Sequence, residues 1–456
     1  MSSADRQPDI RSSRLDEDEL RRNFADLHPP LSRSEALIEA DRCYFCYDAP
    51  CTTACPTGID IPGFIQKIRS DNIRGSAHTI LRENIMGGMC ARVCPTEVLC
   101  EQACVRNTHE EKPVEIGLLQ RYATDPIFES ETFEREAPLF SRAPTTGKKV
   151  AVVGGGPAGL SCAHRLALLG HDVVVYNRDA KPGGLNEYGI AAYKAIGDFA
   201  QKEIAYILSI GGIELRNEQV LGEDFTLSDL RKSHDAVFVG IGLGSTNRLG
   251  LDDESLPGVD AAIEYIAEIR QAEDLSRLPV GRRVVVVGGG MTAIDIAVQS
   301  KRLGAEQVDL VYRRGPEQMG ASQFEQDLAQ TSGVTIHHWA RPVELVGDEH
   351  VTTICFERTE LDARGRLKSG GARFELSADT VFKAIGQTLD ATMLGDDAAQ
   401  LDTRHNRIVV DAVGKTSLPD VWAGGDCIEA GDDLTVTAVQ QGKVAALDID
   451  RNLREE

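Results

Sequence analysis

The chain has 456 residues, of which 42% are hydrophobic and 26% are charged, and its formal net charge at pH 7 is −22. This length predicts two to four domains, and the negative charge argues against a nucleic-acid partner because phosphates would be repelled. No apolar run is long enough to span a bilayer, and the N-terminus lacks the apolar core of a signal peptide. We therefore expect a cytoplasmic protein with no membrane or nucleic-acid partner.

A cysteine-rich stretch of short helices and turns is predicted first. The segment EALIEADRC reads as a helix that Ser34 could cap and that leads into Cys43. Eight of the eleven cysteines follow, spaced as Cys43-x2-Cys46-x4-Cys51-x3-Cys55-Pro56, Cys90-x3-Cys94-Pro95 and Cys100-x3-Cys104. In a chain without secretory features this density indicates metal or cluster ligation rather than disulfides.

Iron–sulfur clusters suit this spacing, because tight turns supply two or three thiolates and a distant residue closes the shell. Structural zinc is the alternative. The spacing leaves the pairing open. Each group of four cysteines could hold one cluster, or Cys43, Cys46 and Cys51 could share a cluster with a late cysteine.

A first dinucleotide module follows a linker rich in proline and glycine at 126–148. The segment KKVAVVGGGPAGLSCAHRLALLGHDVVVYNR reads as strand, glycine turn, helix and strand. Its turn contains Gly154, Gly156, Pro157, Ala158 and Gly159, and the helix N-terminus favours a pyrophosphate.

Two further glycine-containing segments point to FAD at this module. One is the loop with Gly184 and Leu185, and the other is the C-terminal strand, Gly425-Asp426 turn and helix around Thr435. One residue departs from the fingerprint: Asn177 stands where an acidic residue usually binds the ribose hydroxyls, so this contact should be weaker than a charged one.

A second dinucleotide module begins at RRVVVVGGGMTAIDIAVQ. Its turn contains Gly288, Gly290, Met291, Thr292 and Ala293, with alanine as an accepted third small residue. The second strand ends at Arg313 and Arg314, where arginine suits a 2′-phosphate. The sequence therefore favours NADPH over NADH, and a solvated basic pair is the alternative interpretation.

The two modules predict an α/β chain with an N-terminal α-helical iron–sulfur domain and two Rossmann-like domains. Glycine-ending strands flank the second module at 237–244 and 379–387, which indicates an insertion into the first domain. We predict an iron–sulfur domain at 1–145, an FAD domain at 146–245 with 375–456, and an NAD(P)H domain at 246–374.

With these motifs in order, the chain resembles the FAD subunit of bacterial dihydropyrimidine dehydrogenases. The strings CYDAPCTTACPTGIDIPGFI, MCARVCPTEVLCEQAC and VEIGLLQRYATD carry the resemblance, which extends from about residue 35 to the C-terminus. The small subunit of glutamate synthase is a related family with the same architecture, and it is the alternative.

The resemblance implies two [4Fe–4S] clusters with interleaved ligands. One set matches Cys43, Cys46, Cys51 and Cys104, and the other matches Cys55, Cys94, Cys100 and Gln120. Cys90 is then left as a non-ligand, or as the alternative to Gln120. Further matched cofactor contacts are Leu185, Lys194 and Val220 for FAD, Thr292 beside a departing Met291 for the nicotinamide, and Ala384, Ile385 and Gly386 where the nucleotides should meet.

The implied function is that of half an enzyme. A nicotinamide coenzyme, NADPH with NADH possible, would pass hydride to FAD, and the clusters would carry single electrons onward. The pyrimidine-reducing half, which holds FMN and further clusters in the family, would be a partner subunit in a hetero-oligomer. No catalytic side chain is required for the hydride step.

Overall fold

The chain divides into two units in the computed structural model, which describes residues 9–129, 138–389 and 391–455. The larger unit contains His28–Glu187, Gly197–Gly244 and the chain from Thr388 onward. The smaller unit contains the residues up to Leu27, Tyr188–Ile196 and Ser245–Gln387.

The N-terminal part of the larger unit, residues 28–129, is helical and is called the cysteine domain below. Ser32, rather than Ser34, caps its first helix by accepting a hydrogen bond from the Glu35 N–H. Phe64, Ile65 and Leu119 are fully buried in its core. Its helices are Arg33–Asp41, Pro50–Ala54, Ile61–Arg69, Ile73–Glu83, Gly87–Val93, Thr96–Val98 (3-10), Asn107–Glu110 and Ile116–Glu129.

The rest of the larger unit, here the first Rossmann domain, is built on a five-stranded parallel sheet. Valines fill the central strand on both faces, because helices cover the sheet on each side. The strand order is Val421–Ala423, Ala236–Val239, Lys149–Val153, Asp172–Tyr176 and Ile213–Arg216. Its helices are Pro157–Leu168, Leu185–Tyr188, Phe199–Leu208, Leu227–Ser233, Ala391–Gln400 (3-10) and Thr435–Glu455, and Thr403–Arg404 pairs with Arg407–Ile408.

The smaller unit has a second five-stranded parallel sheet and a three-stranded antiparallel sheet. The parallel order is Thr335–His337, Gln307–Val311, Arg283–Gly288, Thr380–Ala384 and Val259–Ala261, and the antiparallel order is Ala340–Gly347, Val351–Leu361 and Leu367–Ser377. Its helices are Glu17–Asn23, Ala262–Gln271, Leu275–Arg277 (3-10), Met291–Arg302, Pro316–Gln318 (3-10) and Gln323–Thr331. The remaining short strands are Ile10–Arg11, Val280–Gly281, Ser245–Thr246 and Gln387–Thr388.

The insertion has boundaries that differ from the predicted ones. The strand Thr380–Ala384 pairs with two strands of the smaller unit, so this unit extends to Gln387 rather than to residue 374. The N-terminal stretch also differs, because Leu20 and Phe24 pack into the core of the smaller unit and not with the cysteine domain. Its short strand Ile10–Arg11 pairs with Val280–Gly281.

Candidate cofactor sites

The first glycine turn leaves room for a bound group at only one of its three fingerprint glycines. A Cβ on Gly154, which has a φ of +106°, would lie 2.3 Å from the carbonyl oxygen of Gly240. A Cβ on Gly159 would lie 1.9 Å from the carbonyl oxygen of Gly154. The nearest atom to a Cβ on Gly156 is the Cα of Gly184, at 3.8 Å. The outer glycines are therefore required for packing, and the middle one permits a pyrophosphate to approach.

The three segments predicted to bind FAD meet in the larger unit. The N–H of Gly183 donates to the carbonyl oxygen of Gly155 at 2.7 Å, which joins the second glycine loop to the first. A Cβ on Gly425 would lie 3.1 Å from the Cβ of Ala158, so the C-terminal turn reaches the same helix N-terminus. This arrangement fits a dinucleotide whose phosphates rest on the first turn.

Asn177 has a structural role besides the ribose contact that its position predicts. It is buried, and its Nδ2 donates to the carbonyl oxygens of Asp179 at 2.7 Å and Lys181 at 3.1 Å. The backbone carbonyl oxygen of Asn177 accepts a hydrogen bond from the N–H of Gln219 at 3.0 Å, and Gln219 is next to the predicted FAD contact Val220. The amide therefore fixes the loop that follows the strand, which is a task that a carboxylate could not perform because it has no N–H to donate.

Three further predicted FAD contacts, Asp426, Thr435 and Leu185, differ in burial and in hydrogen bonding. Burial raises the pKa of Asp426 to about 6, and the nearby Asp433 acts in the same direction. Thr435 donates from its hydroxyl to Oδ1 of Asn186 at 2.7 Å, which links the last helix to the segment after the second glycine loop. Leu185 is 38% exposed, so its side chain is available to a ligand.

Lys194, a predicted FAD contact, is paired with two buried carboxylates. It belongs to the smaller unit, where its Nζ lies 2.7 Å from carboxylate oxygens of both Asp295 and Glu325. Burial alone would lower the pKa of Lys194, but the two carboxylates outweigh burial and hold it above the ordinary value. Lys194 therefore compensates two buried acids, and its contact with FAD stays a prediction.

An open cleft of about 940 Å³ in the smaller unit collects most of the residues predicted at the second module. A Cβ on Gly290 would meet no atom within 4 Å, whereas one on Gly288 would lie 2.2 Å from the carbonyl oxygen of Ala384. The predicted residues that line the cleft are Gly288, Gly290, Thr292, Arg313, Ala384, Ile385 and Gly386. The volume and the open glycine fit a dinucleotide.

Basic residues around the cleft include two that the sequence analysis missed. Arg248 and Arg341 line it together with Arg313, and Arg341 forms a 2.8 Å ion pair with Glu357. Arg314 is half-buried, and its Nε has no hydrogen-bond partner among the described residues. No fingerprint motif marks Arg248 or Arg341, because they are brought to the cleft only by the tertiary fold.

Four of the eight clustered cysteines line one pocket of the cysteine domain, namely Cys43, Cys46, Cys51 and Cys104. Its walls are largely apolar, with Ile61 and Ile65 among them. The N–H of Phe45 lies 3.4 Å from Sγ of Cys43, an N–H···S contact of the kind that tunes a cluster. These are the four residues that the resemblance assigned to one cluster, and the naive grouping by sequence order would not assemble them.

Three thiols of the second predicted set, those of Cys55, Cys94 and Cys100, are neighbours. The side chain of Cys90, burial, and then Cys100 and Cys55 raise the pKa of the Cys94 thiol well above its ordinary value. Gln120 is buried, and its Nε2 donates to the carbonyl oxygen of Gly87 at 2.6 Å. Among the described residues, no group of three or more His, Cys, Asp or Glu side chains is arranged so that it could hold a single metal ion.

Glu203 connects the helix of Cys94 to the first Rossmann domain. It is fully buried on the helix Phe199–Leu208, and its Oε1 accepts from the N–H groups of Gly88 at 2.8 Å and Met89 at 3.1 Å. Burial raises the pKa of Glu203 to about 8 although these two hydrogen bonds and Arg92 favour the carboxylate. The contact fixes the start of Gly87–Val93, which leads directly into Cys94.

Together, the two sheets, glycine turns and cysteine domain define a nicotinamide-linked flavoprotein oxidoreductase class. Residues 148–442 match the pyridine nucleotide-disulphide oxidoreductase family, and residues 20–132 match the family described as dihydropyrimidine dehydrogenase domain II, 4Fe-4S cluster. The chain belongs to the pyridine nucleotide-disulphide oxidoreductase family. These matches confirm the predicted α/β class and the predicted cofactor classes, FAD with NAD(P)H and a 4Fe–4S cluster.

Two kinds of relative are equally similar. The glutamate synthase [NADPH] small chain of Escherichia coli (strain K12) is 35% identical over 93% of this chain and 92% of its own length. The NAD-dependent dihydropyrimidine dehydrogenase subunit PreT of Escherichia coli O157:H7 is also 35% identical, over 93% of this chain and 96% of its own length. Identity alone therefore does not separate the two families that the sequence analysis named.

Solved structures show a similar fold over about two thirds of the chain. Mycobacterium tuberculosis FprA in complex with NADPH has a TM-score of 0.56 at 20% identity, and covers 69% of this chain and 85% of its own. T. acidophilum thioredoxin reductase has a TM-score of 0.51 at 20% identity, and covers 67% of this chain and 99% of its own. Among the helices described for this chain, none has the length and apolar character needed to cross a membrane.

Proposed function

We propose that this chain is the electron-input subunit of a dihydropyrimidine dehydrogenase. It would oxidise NAD(P)H with FAD and pass single electrons through two [4Fe–4S] clusters to an FMN and iron–sulfur partner subunit that reduces uracil or thymine. One observation carries the proposal: the three glycine segments and both cysteine sets belong to a single unit, so the flavin and the clusters would share one packed body.

The protein's own part in this reaction is binding and placement. The turns at Gly156 and Gly290 admit the two pyrophosphates, and Asn177 holds the loop beside the first turn. Cys43, Cys46, Cys51 and Cys104 would hold one cluster, and Cys55, Cys94, Cys100 and Gln120 the other. When bound, FAD supplies the conversion of a two-electron hydride into single electrons.

We further propose NADPH as the preferred coenzyme. Arg313 lies in the cleft of the smaller unit at the end of the second strand, where a guanidinium can pair with a 2′-phosphate. In the Arg313→Ala variant we expect the KM for NADPH to rise about tenfold or more, the equivalent of losing about 1.4 kcal/mol, with little change for NADH. An unchanged NADPH:NADH preference in Arg313→Ala, and in the double variant Arg313→Ala with Arg314→Ala, would contradict this assignment.

A glutamate synthase small chain is the second candidate, because such a relative is as similar as the dihydropyrimidine one. The two candidates share the input half and differ in what receives the electrons. Sequence strings around the cysteines favour the first candidate, but they lie in the domain that both families contain.

Co-purification with a partner separates the two candidates. The holoprotein should first oxidise NAD(P)H with ferricyanide, which tests the input half without any partner. With a pyrimidine-reducing subunit, we expect coenzyme oxidation to depend on uracil. Oxidation that depends instead on 2-oxoglutarate and glutamine with the large subunit of a glutamate synthase would establish the second candidate. A colourless protein without iron or flavin would reject both.

A further inference from the structure

One buried lysine of the first Rossmann domain reaches into the cysteine domain. Lys443 lies on the helix Thr435–Glu455 and is 8% exposed. Its Nζ donates to the carbonyl oxygens of Thr57 at 3.2 Å and Glu83 at 2.9 Å, and it lies 3.2 Å from Oε2 of Glu83. Burial of an ammonium group is costly unless acceptors and a counter-charge surround it, so this position is tightly specified.

The ammonium group of Lys443 lies close to one predicted cluster ligand. Thr57 is two residues after Cys55, and its Oγ1 lies 3.3 Å from the Cys55 Sγ. Burial lowers the pKa of Lys443, whereas the nearby Glu83 and, more weakly, Cys55 favour its charged form. The lysine therefore brings a positive charge to the loop that follows this cysteine.

The same helix is held against the glycine turn of the first Rossmann domain. A Cβ on Gly442 would lie 2.1 Å from the carbonyl oxygen of Ala158, so the two helices touch directly before Lys443. Val439, one turn earlier, packs with Leu160 of the glycine-turn helix and with Ile85 and Met86 of the cysteine domain. Lys443 is thus anchored on the predicted flavin side while its charge lies on the predicted cluster side.

We propose that Lys443 is a positioning residue for electron transfer, whose fixed positive charge favours the reduced state of the cluster held by Cys55. The inference rests on the proposed function. In the step concerned, one electron leaves reduced FAD and enters the cluster, and no bond is made or broken. Because the cluster gains a negative charge, a nearby cation makes its reduction more favourable.

Glu83 provides a test with the opposite sign. Its carboxylate pairs with Lys443 and also lies 3.0 Å from Nε of Arg82. Removing this negative charge leaves the ammonium group less compensated, so reduction of the cluster should become easier. A purely structural role for the lysine would not give opposite shifts for the two substitutions.

The experiment uses the full chain loaded with FAD and iron–sulfur clusters. Iron, sulfide and flavin contents are measured first, and each cluster potential is then obtained by redox titration followed by electron paramagnetic resonance. In Lys443→Gln we expect the reduction equilibrium of one cluster to become about tenfold less favourable, which is about 59 mV for one electron. Glu83→Gln should shift it the other way, and Lys443→Arg should leave it near the wild-type value.

The potential of the other cluster, the one predicted at Cys43, Cys46, Cys51 and Cys104, serves as an internal control. Among the described residues, no contact joins Lys443 to the pocket that these cysteines line. Equal potentials in wild type, Lys443→Gln and Glu83→Gln would overturn the inference, as would shifts of the same sign. If Lys443→Gln fails to fold, an unchanged potential in Glu83→Gln overturns it. A wild-type protein purified without clusters would refute the proposed function instead.

Discussion

Gly290→Ala tests whether the open glycine of the second module is kept open for a coenzyme. The residue has extended backbone angles, with φ −98° and ψ 179°, which alanine adopts without strain. An added Cβ would meet no atom within 4 Å, and the position faces the cleft. Replacing glycine in extended backbone typically raises stability by about 0.4–1 kcal/mol through the unfolded state, which offsets the cost of placing alanine at the N-cap of Met291–Arg302. The fold should therefore survive unharmed.

The same substitution should weaken coenzyme binding. The second glycine of the fingerprint lets the backbone approach the pyrophosphate, and a methyl group there occupies that approach. We expect the Kd for NADPH to rise at least about tenfold, a loss of about 1.4 kcal/mol, while the flavin absorbance stays as in wild type. Titration calorimetry measures the affinity, and a thermal melt measures the fold.

Gly288→Ala is the matched control. Its Cβ would lie 2.2 Å from the carbonyl oxygen of Ala384, which is backbone of the neighbouring strand and cannot move aside cheaply. This variant should lose melting temperature as well as affinity. If Gly290→Ala binds NADPH with wild-type affinity, the pyrophosphate of the coenzyme does not lie against this glycine, and the cleft is not the NADPH site. A destabilised Gly290→Ala would contradict the space seen around it.

Three further experiments probe the cysteine domain and its contact with Glu203 of the first Rossmann domain. Burial raises the pKa of Glu203 from 4.5 to about 8, so between these values the folded protein binds one proton that the unfolded chain has released. The free energy of unfolding should therefore fall as the pH rises from about 5 to about 8, by up to about 1.4 kcal/mol per pH unit. Glu203→Gln should remove that slope in pH-dependent melts. Cys104→Ser should halve the iron content, whereas Cys90→Ser should leave it unchanged; iron loss in the latter would make Cys90 a ligand. Gly88→Ala should destabilise by about 1–3 kcal/mol in denaturant titrations, because its Cβ would lie 2.6 Å from the buried ring of Phe199.

Local patterns predicted the parts of the fold that depend on neighbouring residues. The two strand–turn–helix units have continuous valine strands and glycines at fixed spacing, and both form as expected. The C-terminal return to the first sheet was predicted from glycine-ending strands together with the family resemblance, and Val421–Ala423 pairs in parallel with Ala236–Val239. Only the signals of each strand–turn–helix unit are local, because they lie within about thirty residues of each other.

Other features depend on contacts that no local pattern encodes. The strand Ile10–Arg11 has two residues and exists only because Val280–Gly281 lies beside it. Lys194 carries no signal for its two acidic partners, which are far along the chain. The cysteine spacing left the pairing open, since Cys104 joins the pocket of Cys43 only when the last turns of the domain fold back.

The shared core of the larger unit links the proposed flavin and cluster sites in a physical way. Leu160 follows the first glycine turn by one residue, and it packs with Ile85 and Met86 just before the helix that leads to Cys94. Glu203 and Lys443 add polar contacts across the same junction, each from a different helix of the Rossmann domain. Close-packed interiors transmit displacement because they contain few voids. A change at the glycine turn should therefore be felt at the cysteines, because one packed core contains residues beside both.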